Sequence, residues 1–390
     1  MAPFTLNWGI MATGGIATTF AKDLLNDPSA RDVSDVAHTI VAAASSSSQS
    51  RAEAFLGDLG VPGSPKAYGS YAELVANPDV QIVYVATPHS HHFQNAMLCL
   101  EAGKHVLCEK ALTVTGSQAK KLVAKAKEKK LFFMEAVWTR YFPLSIKIRE
   151  MITSNEIGDV HRVFADNSID SSKPDGSLTF PDDNRMVNIN LAGGALLDLG
   201  IYSLTWVFQT LYHLQSGTKE KPRVVASIDK YDRTGADVDT TVIVSFAQHK
   251  SVAIATTSLR AASDVDSKGT AGPAIKIQGT KGEIQVMGPA YRPQQYRVIR
   301  KEKPGDIEIV DCPIPQDEAR NWGQGMFWEA DECARCLRDG KLESATLPWE
   351  ESVVMMEVME EALRQGGVEY PEVITTDVYD PNSPLNTGKA

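Results

Sequence analysis

Between Leu6 and Val137 the chain keeps one rhythm: a short apolar run, then residues at helical spacing. The runs are Leu6–Met11, His38–Ala44, Gln81–Pro88, His105–Cys108 and Leu131–Val137. Ile16, Phe20, Leu24 and Leu25 mark the first intervening helix, and Arg51–Leu59, His92–Ala102 and Gly116–Lys129 read as others. Apolar strands alternating with amphipathic helices are buried only when a parallel sheet is covered on both faces. Residues 1–137 are therefore expected to form a doubly wound α/β domain.

After Val137 the rhythm changes. One helix is expected before Gly158, and a mostly apolar helix follows Gly193-Gly194. Strand signals then come without long helices between them: Arg223–Tyr231, Asp239–Phe246, Ser251–Leu259, Ile275–Gln278, Glu283–Val286 and Gln295–Arg300. Gly279-Thr-Lys-Gly282 reads as a hairpin turn between two of them. Residues 138–390 are thus expected to be an α+β domain with a large open, mainly antiparallel sheet. Helices are expected around Phe327–Arg338 and Trp349–Arg364, and the polar tail TTDVYDPNSPLNTGKA reads as an extended arm. Two domains also suit a length of 390 residues.

Charge and cysteine usage narrow the function classes. A net charge of −10 argues against nucleic-acid or anionic-membrane partners, which need basic patches. The start MAPFTLNWGI lacks the basic-then-apolar order of a secretory signal, and no apolar run reads as a membrane span. Five cysteines, an odd number, fit a reducing, cytoplasmic setting. Cys333 and Cys336 have redox or zinc spacing, but they fall inside a helical pattern with no second pair.

Three constellations carry chemistry. The loop Ala12-Thr13-Gly14-Gly15-Ile16-Ala17 lies between the first strand and the first helix and follows G-x-G-x-x-G/A, with Ala12 in the first glycine's place. There Gly14 admits a pyrophosphate close to the backbone, and the helix N-terminus attracts its charge. The second strand ends in Ser45-Ser46-Ser47-Ser48-Gln49-Ser50-Arg51, with no Asp or Glu to read a ribose 2′-hydroxyl. Arginine and hydroxyls suit a 2′-phosphate, so NADP is expected over NAD. Lys110 closes the strand His105–Cys108, at the carboxyl end where open α/β sheets bind ligands. Finally, Gly193-Gly194-Ala-Leu-Leu-Asp198-Leu-Gly-Ile-Tyr202 sets Asp198 and Tyr202 at i and i+4 on an apolar helix. The run His89-Ser90-His91-His92 invites a metal reading, but a strand-to-helix junction in the nucleotide half does not suit one. No metal is expected; His89 is expected at the cofactor, and His92 in a structural role.

These motifs in order, with Thr87-Pro88-His89, Gly103-Lys-His-Val-Leu-Cys-Glu109-Lys110, Glu135-Ala-Val-Trp138-Thr-Arg140 and Gly325-Met-Phe327, resemble the Gfo/Idh/MocA oxidoreductase family. The likeness covers nearly the whole chain. It is strongest to the branch of dimeric dihydrodiol dehydrogenases and fungal NADP-dependent D-xylose 1-dehydrogenases. The resemblance implies a Rossmann domain, followed by a substrate domain whose open sheet supports a homodimer. It also implies a cofactor site at Ala12, Thr13, Gly14, Gly15, Ile16, Ser45, Ser46, Ser47, Arg51, Thr87, Pro88, His89, His92, Glu109 and Lys110.

Several positions depart from the family pattern. Ala111 follows Lys110 where the family usually has proline, and a non-proline bond there is expected to be trans. Ala192 stands where a third glycine is common, His89 where Asn is common, and Tyr202 where many members carry His. The ribose loop is one residue longer before Arg51.

The expected reaction is oxidation of an aldose, D-xylose foremost, at its anomeric hydroxyl to the lactone. A tyrosine, with a solution pKa of about 10, needs a neighbouring cation to act as base near neutrality. Tyr202 is therefore expected as general base, Lys110 as its activator, and Asp198 on a substrate hydroxyl or the lysine. Trp138 and Phe327 are expected to stack on the sugar, with Arg140 and Arg185 reaching hydroxyls. The rival readings are oxidation of a trans-dihydrodiol and an NADPH-binding sensor without turnover.

Overall fold

Each apolar run of the first third becomes a strand because a helix crossover returns the chain beside the previous one. The computed structural model describes residues 2–387. The strands are β1 (Phe4–Met11), β2 (Val36–Ala44), β3 (Lys66–Tyr68), β4 (Ile82–Val85), β5 (His105–Glu109) and β6 (Phe133–Ala136). Between them run α1 (Gly15–Leu24), α2 (Gln49–Asp58), α3 (Tyr71–Ala76), α4 (His92–Glu101) and α5 (Gly116–Lys129). All pairings are parallel, in the order β3-β2-β1-β4-β5-β6. The short β3 and α3 carry no apolar run long enough to announce them.

Trp8, Phe20 and Tyr84 fill the middle of this unit. Phe20 stacks on Tyr84 at 3.8 Å between centroids and meets Trp8 edge-on at 5.3 Å. Such ring pairs add about 0.5–1.5 kcal/mol each beyond the area they bury. Helix α5 starts on a capping box, with Thr115 and Gln118 satisfying each other's backbone N–H groups.

The second unit begins with α6 (Pro143–Thr153) and β7 (Val160–Asp166). Its apolar helix is not a plain α-helix. A π-helical turn, Leu196–Gly200, precedes α7 (Ile201–Val207), and a second π-turn, Phe208–Tyr212, follows. By length and composition Ile189–Tyr212 could cross a membrane, with mean hydropathy 1.4, although the sequence reading expected no such stretch. Its most apolar 18 residues are 94% buried inside the protein, as in a core helix.

Strands β8 (Arg223–Lys230), β9 (Asp237–Phe246), β10 (Ser251–Ser258), β11 (Ile275–Gly279), β12 (Gly282–Val286), β13 (Gln295–Arg300) and β14 (Ile307–Asp311) complete the sheet. Its order is β14-β13-β12-β11-β7-β10-β9-β8. β7 and β14 were not anticipated. β7 pairs parallel to β10 and antiparallel to β11, so the sheet is mixed rather than purely antiparallel. Alternation gives it two distinct faces. Val244, Ala253, Val163, Ile277, Ile284 and Val298 form one cross-strand row, all fully buried. The opposite face carries the row Val225, Ile243, Ile254, Phe164, Lys276, Gln285, Arg297, Ile309.

The C-terminal segment holds α8 (Phe327–Arg338), α9 (Trp349–Gln365), α10 (Glu372–Thr375) and α11 (Pro384–Thr387). A single boundary at residue 137 does not describe the chain. Ile314–Ser352 and the segment from Glu372 onward join the first unit, while Thr139–Pro313 and Val353–Pro371 form the second. Buried polar pairs show why. Asp23 of α1 accepts from the N–H groups of Gln324, Met326 and Phe327 at 2.9, 2.6 and 3.3 Å, capping α8 from another helix. Arg31 makes two 2.8 Å bonds to Asp331 of α8, and the Trp349 indole donates to the Phe133 carbonyl at 2.6 Å. As far as Thr387 the tail is docked on the first unit. Gln94 donates to Val378, Asn95 to Leu385, and Gln118 to both Ile374 and Thr376.

Candidate active site

Register alone assembles the edge that the sequence pointed to. Met11 lies level with Ala44 and Val85, Val85 with Cys108, and Glu109 with Ala136. The residues after β1, β2, β4 and β5 therefore emerge side by side along one edge of the sheet. Ala12, the first of them, is tied to β2 by its N–H on the Ala44 carbonyl at 3.0 Å. Its φ is +79°, the region where the family's glycine would sit without a steric cost.

Gly14 precedes α1 with no side-chain cap, and the first turn of α1 carries no acidic residue. A Cβ on Gly14 or Gly15 would meet no protein atom within 4 Å. Protein packing thus gives no reason for these glycines, whereas a pyrophosphate lying on the helix N-terminus does. The cradle fits a dinucleotide.

At the end of β2, Ser45 and Ser47 share a 2.9 Å hydroxyl bond, and the Arg51 guanidinium reaches Ser47 Oγ at 3.4 Å. Ser48 caps α2 by accepting from the Arg51 N–H, which fixes where that side chain starts. Ser46 hydrogen-bonds Tyr71. Arg51 and Ser47 are exposed, while Ser45 is buried. A cation beside hydroxyls at this position can take a 2′-phosphate.

Beyond β4 come Thr87, Pro88, His89 and His92. His89 Nε2 lies 3.1 Å from the Lys110 carbonyl, and His92 Nδ1 lies 2.9 Å from the Ala111 carbonyl. His92 Nε2 also reaches the Thr87 carbonyl at 2.8 Å. A neutral imidazole can donate to only one of these two carbonyls. Full burial nevertheless pushes the His92 pKa down to about 4, with the Lys110 charge adding to the effect, so the ring is neutral near pH 7. Burial likewise lowers His91 to about 4.

The Lys110–Ala111 peptide is cis, against the trans expectation. The segment around it is held from several sides. The Lys110 N–H donates to Glu109, the Leu112 N–H donates to Glu135, and the two histidines engage both carbonyls. Glu109 also accepts from the Tyr84 hydroxyl, which fixes its carboxylate at the strand end.

Phe327, expected against a sugar, is 1% exposed in the first unit's core. The Arg31 guanidinium lies 4.9 Å from its ring centre and Trp328 meets it edge-on. Trp138 is 8% exposed on the turn Trp138–Tyr141. Arg140, from the same turn, is 1% exposed, and its carbonyl accepts from Arg149.

In the second unit Asp198 falls in the first π-turn, and Arg185 donates to it at 3.0 Å. Asn167 donates to the Leu199 carbonyl and Ser203 to the Thr256 carbonyl, anchoring the helix to β7 and β10. π-turns of this kind recur where a side chain must be re-aimed for function. Tyr202 lies 5.7 Å from Tyr291, ring centre to ring centre. Tyr291 was not anticipated; its only sequence signal is an aromatic after a Gly-Pro turn.

Comparison with known proteins follows the same outline. Residues 6–137 match the family described as "Oxidoreductase family, NAD-binding Rossmann fold", and residues 145–285 match "GFO/IDH/MocA C-terminal domain". The chain is 66% identical over 389 residues to the D-xylose 1-dehydrogenase (NADP(+)) of Hypocrea jecorina, covering 99% of this chain and 98% of that one. It is 33% identical to the trans-1,2-dihydrobenzene-1,2-diol dehydrogenase of Homo sapiens, covering 94% and 98%. A solved NAD binding oxidoreductase from Klebsiella pneumoniae shares the fold, with a TM-score of 0.74 at 20% identity over 93% and 97% of the chains.

Proposed function

The chain belongs to the Gfo/Idh/MocA family of oxidoreductases, and from that premise we propose that it oxidises the anomeric hydroxyl of D-xylose with NADP, giving the aldonolactone. The observation that carries this reading is 66% identity, end to end, with an enzyme of that name. The cofactor supplies the hydride acceptor. Gly14, Gly15 and the start of α1 would hold its pyrophosphate, and Ser45, Ser47 and Arg51 would hold the 2′-phosphate.

The remaining chemistry is proton management. Oxidation at C1 requires the hydroxyl proton to leave, and Tyr202 accepts it as general base. The Lys110 ammonium stabilises the phenolate that this role demands. Asp198, oriented by Arg185, accepts from a substrate hydroxyl, and the Tyr291 ring shields one side of Tyr202 from water. A panel of aldoses and diols with both cofactors tests the reading. D-Xylose with NADP+ is expected to give the highest kcat/KM. No absorbance change with any aldose would overturn it.

The 33% identity with a dihydrodiol dehydrogenase supports one second reading, oxidation of a trans-dihydrodiol. It becomes the better one if the diol in the same panel outperforms every sugar.

The open face of the second unit's sheet supports a homodimer. Val225 and Ile243 are 45% and 40% exposed there, in line with Ile254 and Phe164. The double variant Ile243→Lys with Ile254→Lys is expected to sediment as a monomer where the parent sediments as a dimer. Five free cysteines support a reducing, cytoplasmic setting, and the net charge of −10 supports the absence of nucleic-acid or membrane partners.

A further inference from the structure

The helix carrying Asp198 and Tyr202 begins without a cap of its own: Ala195, just before it, makes no side-chain capping bond. The missing acceptor comes from β9. Asp237, at the first position of that strand, accepts from the Leu196 N–H at 2.6 Å and from the Thr240 hydroxyl at 3.0 Å, both on Oδ2. Asp237 is completely buried, and Oδ1 has no hydrogen-bond partner.

The surroundings are shaped to receive this carboxylate. The β8–β9 register shifts between Asp229 and Lys230, next to the pair Lys230–Asp237, so the strand is locally re-aimed. Ala236 and Val238, on either side, pack with Ala195 and Leu199 in one apolar cluster. Gly194 has φ +144°, and a Cβ there would fall 1.9 Å from Asp237 Oδ1. A Cβ on Gly193 would fall 2.7 Å from the Arg185 carbonyl and from the Asn188 nitrogen. The two glycines therefore let one knot of backbone touch both the carboxylate and the loop that carries Arg185. The Tyr370 hydroxyl closes the knot by donating to the Gly193 carbonyl at 3.1 Å.

We propose that Asp237 is a positioning residue for the reaction: it holds the start of the helix so that Asp198 and Tyr202 meet the substrate, with Arg185 set by the same knot. It touches neither substrate nor cofactor. The proposal rests on the reading of Tyr202 and Asp198 given above.

The titratable groups facing Asp237 are Tyr370, from the segment after α9, and Asp239, two residues along β9. Burial pushes the Asp237 carboxyl up to about 6, against the bonds from Leu196 and Thr240 that pull it down. Above that pH the ionised carboxylate accepts both bonds. Below it the proton sits on the unpartnered Oδ1, and Oδ2, no longer charged, accepts the same two bonds more weakly. Because the folded pKa is raised, the stability this group contributes is greatest below the unfolded carboxylate value and is lost as pH rises through 6. Loss of the charge should therefore not weaken the fold at pH 8.

The test compares Asp237→Ala, Asp237→Asn, Gly194→Ala and, in parallel, Tyr202→Phe. Asp237→Ala is expected to lower kcat for D-xylose by at least 30-fold while the NADPH Kd stays within twofold of wild type. Asp237→Asn, whose amide oxygen still accepts from Leu196, is expected to return to within fivefold of the wild-type kcat. Its melting temperature at pH 8 should match or exceed wild type, and the wild-type kcat ionisation near pH 6 should be missing. Gly194→Ala is expected to reproduce the Asp237→Ala kinetics. If Asp237→Ala does not fold, the pH profile of Asp237→Asn decides. An ionisation near pH 6 that persists in Asp237→Asn overturns the proposal, as does a folded Asp237→Ala with wild-type kcat. If Tyr202→Phe keeps full turnover, it is the underlying reading of the active site that fails. An inactive Tyr202→Phe beside a fully active Asp237→Ala refutes the positioning role alone.

Discussion

Ala12 and Arg51 show how far single residues could be read. The sequence placed Ala12 at the first glycine of a phosphate loop, and its φ of +79° is what that position demands. An L-residue there costs about 1–2 kcal/mol, partly offset by the extra freedom glycine has when unfolded. Ala12→Gly is accordingly expected to raise stability by about 0.5–1 kcal/mol in urea titration, with NADP affinity kept. Arg51 carries the charge just after β2, and the fold brings its guanidinium to Ser47. A charge-assisted bond to phosphate is worth about 1.5–3 kcal/mol. Arg51→Ala should therefore cut the NADP-over-NAD preference about 10- to 100-fold in kcat/KM, and an unchanged ratio would place the 2′-phosphate elsewhere. Phe327 could not be read this way. An aromatic after Gly-Met signals burial or stacking equally well, and only the Arg31 guanidinium over its ring shows which. The same holds for the cis bond after Lys110, because local preference favours trans, while three of the hydrogen bonds flanking the bond involve His89, His92 and Glu135, remote in sequence.

Among elements, those with a full apolar period were legible and short or late ones were not. Helices Gly116–Lys129 and Phe327–Arg338 match their expected bounds. β7 was missed because only Val163 and Ala165 are buried and its other face mixes half-buried Val160 and Phe164 with Arg162 and Asp166. The caps on α8 and on the Asp198–Tyr202 helix were equally invisible. Both are aspartates borrowed from remote segments, Asp23 and Asp237, and nothing near the helix start in sequence announces them. Asp331 of α8 is a similar long-range tie. Burial alone would raise its carboxyl pKa, but Arg31 and His38 outweigh burial and hold it below the usual range. The chain continues to Trp8, whose indole donates to His38 at 3.1 Å. Asp331→Ala would strand a buried guanidinium, so a loss of about 3–5 kcal/mol is expected in urea unfolding. A loss under 1 kcal/mol would mean that Arg31 finds water or another acceptor.

Across the whole molecule, pH response sums over sites that the sequence could not rank. His91 and His92 both have folded pKa values of about 4, below the unfolded value near 6.5, because burial disfavours the imidazolium. Their contribution to stability is complete above pH 6.5 and is lost as pH falls towards 4, since the unfolded chain binds the protons first. Asp237 runs the other way over an overlapping range. The fully buried His92 alone accounts for about 3 kcal/mol by linkage. Thermal melts are expected to fall steadily between pH 6.5 and 4, with a shallower fall in His92→Gln. A flat profile would mean that the ring is charged when folded.

What the sequence determined by itself was periodic or local: a parallel sheet from apolar runs, a glycine-rich turn at the first strand end, a hydroxyl-and-arginine loop at the second. These follow from the pitch of helix and strand and from which φ a residue tolerates, properties of neighbours along the chain. Tertiary structure decided that residues 314–352 belong with the first unit, that Val225, Ile243, Ile254 and Phe164 line up on one face of the second unit's sheet, and that Asp237 reaches the helix of Asp198 and Tyr202. Each depends on which buried polar group finds its partner across dozens or hundreds of residues. The cost of leaving such a group unsatisfied, about 1–3 kcal/mol, is fixed by three-dimensional neighbours that periodicity does not encode.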